Sequence, residues 1–142
     1  MENFEELKKR VKAYYDSIGE IHCPYFQGTV KLTSDGFSHL VAKGTQKKKE
    51  RSQAEQSMRL RLVKWAVRIL RVTTTVQEFE INHAFIESLH HNRVEHILKP
   101  VKYWGFIAIV EGMKIKVIVR QSGESDRVFW SVMPNWKTRK GH

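Results

Sequence analysis

Few residues of this chain are able to do chemistry once the common constellations are set aside. It holds no phosphate-cradling glycine loop of the P-loop or dinucleotide type, so nucleotide-driven chemistry has no support. No nucleophile elbow marks a serine hydrolase, and no paired acidic clusters suit a two-magnesium nuclease. His83, His90, His91 and His96 lack a recognised ligand spacing, and Cys23 is distant from them, so neither a metal nor another cofactor is expected. What remains is His39, Lys43, Lys116, Arg120, Ser131 and Lys137, a set that suits metal-free cleavage of RNA. In that reaction the ribose 2′-hydroxyl attacks the adjacent phosphorus, and the protein need only move protons and stabilise a pentavalent phosphorane. A histidine titrates near neutrality and can act as base or acid, a contribution of about 10²- to 10⁴-fold. Lys and Arg stabilise charge developing on the nonbridging oxygens. DNA lacks the 2′-hydroxyl and is inert to this route. The plainer reading stands beside it. A histidine such as His39 is more often a surface or cap residue, and alternating basic and apolar residues mark any half-exposed sheet.

Charge points to the same class of partner. The 142 residues carry 25 Lys and Arg against 15 Asp and Glu, a net charge of +10. Such an excess, with a pI near 9.9, attracts polyanions through release of their counterions. It is not spread evenly. Residues 28–71 and 101–142 are basic, whereas 1–27 and 72–100 are slightly acidic. Folding could bring the two basic blocks together as one surface. Apolar residues at 41% argue against wholesale disorder, and the length fits one domain spanning 1–142. The lone Cys23 makes no internal disulfide, and neither a signal peptide nor a membrane span is visible. A soluble cytoplasmic protein with no membrane partner is the expectation.

The elements that must position these groups follow from periodicity. Phe4, Leu7, Val11, Tyr14 and Ile18 fall on one helix face, predicting an N-terminal helix within residues 1–20 with a stop at Gly19. His22-Cys23-Pro24 reads as a loop. Gly28 to Thr33 alternates as a short strand, Ser34-Asp35-Gly36 reads as a turn, and Phe37, Leu40 and Val41 suggest one helical turn bearing His39. Gly44 to Lys49 looks like an exposed basic loop. Residues 52–71 form a long helix, opened by Ser52 and Glu55 at capping-box spacing. Its apolar lines run through Leu60, Val63, Val67 and Leu70, and through Met58, Leu62, Trp65 and Ile69, with a basic ridge of Arg61, Lys64, Arg68 and Arg71 opposite. Residues 72–80 are rich in Thr and Val and suit a short strand, and 82–99 is read as helical. Val101–Val110, Met113–Gln121 and Val128–Met133 form an antiparallel meander over residues 101–134, joined by short Gly-containing turns. Alternation puts Lys116 and Arg120 on one face of the middle strand. In the last strand Arg127, Phe129 and Ser131 share a face opposite Val128, Trp130 and Val132. The fold class is α+β, with N-terminal helices packed on a C-terminal antiparallel sheet.

Val30-Lys31-Leu32-Thr33 followed by Gly36-Phe37-Ser38-His39-Leu40 and a long basic helix resembles the BECR nucleases (barnase, EndoU, colicin and RelE-like), particularly their phage and mobile-element branches. The ending is similar too, with Lys114-Ile115-Lys116-Val117-Ile118-Val119-Arg120 and then Phe129-Trp130-Ser131-Val132-Met133-Pro134. The resemblance spans about residues 28–136. It implies a metal-independent ribonuclease, often a toxin with a neutralising acidic antitoxin or immunity protein as partner. By position it implies His39 as general acid or base, Arg120 with Lys116 as phosphate stabilisers, and Ser131 as a positioning hydroxyl. Lys43, Arg51, Arg61, Lys64, Arg68 and Lys137 would hold the RNA backbone. Gly44 and Lys47 to Lys49 stand where the family often continues a helix, and 82–99 has no assigned counterpart. A noncatalytic RNA- or DNA-binding module using the same basic surface, with Trp104, Trp130 and Trp136 stacking on bases, is the rival reading. A protein-binding adaptor whose basic face meets an acidic partner is the third.

Overall fold

The computed structural model describes residues 2–43, 49–90 and 93–135. The first helix, α1 (Phe4–Ile18), begins in a reciprocal capping box between Asn3 and Glu6 and ends at Gly19, whose φ of 73° no bulkier residue adopts easily. The following segment is β1 (Glu20–Cys23), not a loop: Ile21 and Cys23 point inward while Glu20 and His22 face solvent. The alternation is only four residues long, and Pro24 ends it, which is why it reads as a loop. β1 pairs antiparallel with β2 (Gly28–Lys31).

Ser34-Asp35-Gly36 is likewise no turn. It forms the first turn of α2 (Ser34–Val41), whose N-cap Thr33 accepts a hydrogen bond from the Gly36 amide. Ser, Asp and Gly serve a helix start as well as a turn, and here the cap decides. A small two-stranded ribbon, β3 (Ala42–Lys43) with β4 (Lys49–Glu50), leads to the longest helix. Most of the expected basic loop, residues 44–48, lies outside the described residues.

α3 (Gln53–Val72) is capped by Ser52, which accepts from the Glu55 amide. Leu60, Val63, Val67 and Leu70 are buried, and Arg61, Lys64, Arg68 and Arg71 are exposed, as the two faces require.

Residues 73–77 form no strand, and the expected helix over 82–99 is absent. Instead β5 (Glu78–His90) and β6 (Arg93–Val110) make one long antiparallel hairpin. Phe79 and Ile81 alternate with Glu78, Glu80 and Asn82 at period two; Ala84, Phe85 and Ile86 in succession blur that period into a helix-like run. The meander continues through β7 (Met113–Ser122) and β8 (Val128–Pro134). Glu111 and Gly112, at φ 50° and 79°, supply the two left-handed residues of a tight hairpin.

Six strands form one sheet in the order β1-β2-β8-β7-β6-β5. It is antiparallel except at the β2–β8 seam, where Lys31 pairs with Val128 in parallel. The helices cover one face. Leu7, Val11 and Tyr15 from α1, Leu40 from α2 and the apolar side of α3 meet Phe106, Ile115, Val117, Val119 and Val132 there. Each such side chain contributes about 1.5–3 kcal/mol when taken from water. Lys116 and Arg120 alternate with the buried residues and so lie on the opposite, uncovered face. The sheet therefore separates these two side chains from the α3 ridge of Arg61, Lys64 and Arg68. Pairing of β6 with β7 starts at Val101, so the outer half of the β5–β6 hairpin extends past the end of β7. Along its helix-side face Phe79, Ile81, Val94 and Leu98 are exposed. Among the described residues no helix is long and apolar enough to cross a membrane.

Candidate functional site

α2 approaches β8 unusually closely, and Gly36 permits it. A Cβ at this position would collide with the Phe129 carbonyl oxygen and lie 2.8 Å from the Tyr15 hydroxyl. Tyr15 in turn donates to the Thr33 carbonyl at 2.7 Å, tying α1 to the start of α2. Burial, with Asp16 nearby, pushes its phenol above the ordinary range. Because α2 sits so close, His39, one turn beyond Gly36, reaches the β8 side chains.

The strand has adjusted to meet it. Ile118 pairs with Ser131 and Val119 with Phe129, which leaves Trp130 as the extra residue of a β-bulge. The bulge breaks the regular alternation expected from the sequence. Phe129 and Val132 both enter the core, and Ser131 comes opposite Ile118. Trp130 is the meeting point of the cluster. The His39 ring stacks on it at 4.6 Å and 24°, and the Arg120 guanidinium lies over it, also at 4.6 Å. Arg120 Nε donates to the Tyr103 hydroxyl at 3.2 Å, which fixes the guanidinium from the β6 side.

Ser131, 1% exposed, accepts from Arg59 Nη1 at 2.7 Å; the same nitrogen reaches the Val132 carbonyl at 3.3 Å. An acceptor bond from an arginine leaves the serine proton available for donation to another group. Arg59 also contacts Glu55 Oε2 at 3.1–3.2 Å, and Arg51 Nη1 reaches that same oxygen at 2.9 Å. Arg51 Nε donates to the His39 carbonyl at 3.1 Å, and Gln56 Nε2 donates to the Arg51 carbonyl at 2.7 Å. Burial, and then the Arg51 charge, lower the pKa of Arg59, while Glu55 opposes both. Two guanidinium groups on one carboxylate leave this corner with an excess of positive charge.

The structure therefore brings His39, Arg120 and Ser131 into one neighbourhood and leaves Lys116 elsewhere. Lys116 reaches across Gly105 of β6 to Glu78 Oε1 at 2.9 Å, away from β8. That pair lines an open groove of about 410 Å³ on the uncovered face, with Tyr103 and Ile118. Arg51 points inward as part of the Glu55 network and is 7% exposed, so it presents little to a ligand. Arg61, Lys64 and Arg68 are exposed on α3, and Lys64 and Arg68 each lie 5.2 Å from the Trp65 ring. Lys43 lies in β3, and Lys137 and Trp136 fall outside the described residues. Trp104 packs against Phe26 at 4.8 Å rather than standing open.

Sequence reasoning missed Arg59, Glu55 and Tyr103, and it read Trp130 only as a base-stacking residue. A signal for the first two exists. Arg51, Glu55 and Arg59 are spaced four apart, an arrangement in which one carboxylate can serve two cations. Among the described residues no three of His, Cys, Asp and Glu gather in a way that could hold a metal. In comparisons with known proteins no family model, no curated protein and no solved structure matches the chain.

Proposed function

We propose that the chain is a metal-independent endoribonuclease of the BECR type, acting as a toxin or mobile-element effector. The observation that carries this reading is the convergence of His39 from α2 and Arg120 from β7 on the Trp130 ring, beside the Ser131 hydroxyl. His39 serves as the proton carrier, taking the 2′-hydroxyl proton or delivering one to the departing 5′ oxygen. The new bond joins the 2′ oxygen to phosphorus, the bond to the 5′ oxygen breaks, and a 2′,3′-cyclic phosphate remains. Arg120 faces the charge that builds on the nonbridging oxygens, and Ser131, buried and held by Arg59, serves as a positioning hydroxyl beside it. Lys116, neutralised by Glu78, takes no part in this step. The exposed α3 ridge attracts the backbone at longer range, and the same positive surface suits an acidic neutralising protein.

Purified protein incubated with RNA in excess chelator should produce 2′,3′-cyclic ends and leave DNA intact. His39→Ala should abolish the product, and Arg120→Ala should reduce it by about 10²-fold or more. The absence of cleavage under any buffer condition contradicts the reading. The rival, a noncatalytic nucleic-acid module, draws on the separation of the α3 ridge from the His39 cluster. It requires binding that falls steeply with salt and ignores His39→Ala.

A further inference from the structure

Both residues that flank the cluster are held through Glu55. Its Oε2 receives Arg51 at 2.9 Å and Arg59 at 3.1 Å. Arg51 spends its Nε on the carbonyl of His39 itself, at the end of α2. Arg59 spends its Nη1 on the hydroxyl of Ser131, in β8. The two candidate site residues come from separate elements, and one carboxylate at the start of α3 links the guanidinium groups that hold them. We infer that Glu55 is a positioning residue, which sets the distance between His39 and Ser131 by bridging Arg51 and Arg59.

Three features separate this role from a general contribution to folding. The network reaches both residues in question, at the main-chain carbonyl of His39 and at the hydroxyl of Ser131, with the Val132 carbonyl sharing the second end. Arg59 has 11% of its side chain exposed and Arg51 6%, so water cannot replace the carboxylate cheaply. Finally, the arginine forks are planar and rigid, so a shift at Glu55 passes to both ends. Without the carboxylate the two guanidinium groups repel each other and draw apart, taking the His39 carbonyl and the Ser131 hydroxyl with them. A displacement of about 1 Å is enough to cost about 10²-fold in rate.

The inference rests on the ribonuclease reading for its kinetic consequence but not for its geometric one, and two measurements keep them apart. The first is the NMR spectrum of ring-labelled histidine in the whole chain. Stacking on Trp130 displaces the His39 ring signals upfield, and His39→Gln identifies them. Glu55→Gln should remove most of that displacement while the dispersed amide spectrum of a folded chain persists. The second is steady-state cleavage of an oligoribonucleotide, where Glu55→Gln should lower kcat by about 10²-fold with KM changed less than about threefold. Glu55→Asp, which keeps the charge on a shorter stem, should recover part of both effects. Arg59→Lys, which cannot hold Ser131 and Glu55 together, should reproduce the kinetic loss and serves if Glu55→Gln does not fold. An unchanged His39 signal in a folded Glu55→Gln chain overturns the inference, as does an unchanged kcat in an active enzyme. A wild-type chain that cleaves no RNA overturns the ribonuclease reading alone, and the NMR result still decides the role of Glu55.

Discussion

Two ion pairs of the same length stand in opposite surroundings. Arg51 and Glu55 meet at 2.9 Å where α3 joins β8, with 6% and 29% of their side chains exposed. Lys116 and Glu78 meet at 2.9 Å on the uncovered face of the sheet, with 20% and 52% exposed. Equal distance does not mean equal consequence. An interaction of about 1 kcal/mol in water rises to about 4 kcal/mol at the effective dielectric near a protein surface, and removing one buried partner strands the other. The first pair also continues through Arg59 to Ser131, whereas the second ends at a groove. The comparison explains why a lysine expected in the reaction is set aside, while a glutamate expected only as a helix cap takes a central place.

The largest effect that can break this contrast is truncation of the half-buried Glu55 carboxylate, which strands the buried Arg51. Glu55→Ala should destabilise the chain by about 3 kcal/mol, read from urea unfolding. A loss below about 1 kcal/mol would place the corner among ordinary surface pairs. Next comes the close approach that brings α2 to the same corner. Gly36→Ala should cost about 1–3 kcal/mol, because the added carbon meets backbone that cannot rotate away. It should also weaken the His39–Trp130 stack, so a variant with full stability and an unchanged His39 spectrum contradicts the geometry. At the other pole, Glu78→Ala and Lys116→Ala should each change stability by about 0–1 kcal/mol and lose that effect in high salt. A smaller check concerns Cys23, which is fully buried and whose thiol is pushed up in pKa by that burial. Alkylation near neutral pH should proceed only as fast as the chain opens, and rapid labelling of the native state would show that β1 is not packed as described.

The layout was legible in part. α1, α3 and the strands from 101 onward follow from periodicity, because each repeats its pattern over at least two turns or several alternations. The hairpin arm did not, since Ala84, Phe85 and Ile86 interrupt the period-two signal and four histidines carry no clear preference. β1 was too short beside Pro24. Of the candidate site, His39, Arg120 and Ser131 could be named as candidates from the sequence, but not which strand face would carry Ser131. That depended on the bulge at Trp130, a single extra residue no alternation rule announces. Glu55 was hidden for a different reason. Its spacing from Ser52 fits a cap, which masks the four-residue spacing to Arg51 and Arg59, and only folding shows that this pair of contacts leads on to His39 and Ser131.

The most direct test of the central claim compares cleavage rates of three single variants on one RNA in excess chelator. The account predicts that His39→Ala abolishes the 2′,3′-cyclic product, that Arg120→Ala lowers its rate by about 10²-fold, and that Lys116→Ala stays within about threefold of the parent. Equal losses from Lys116→Ala and Arg120→Ala, or a rate indifferent to His39→Ala, would contradict it.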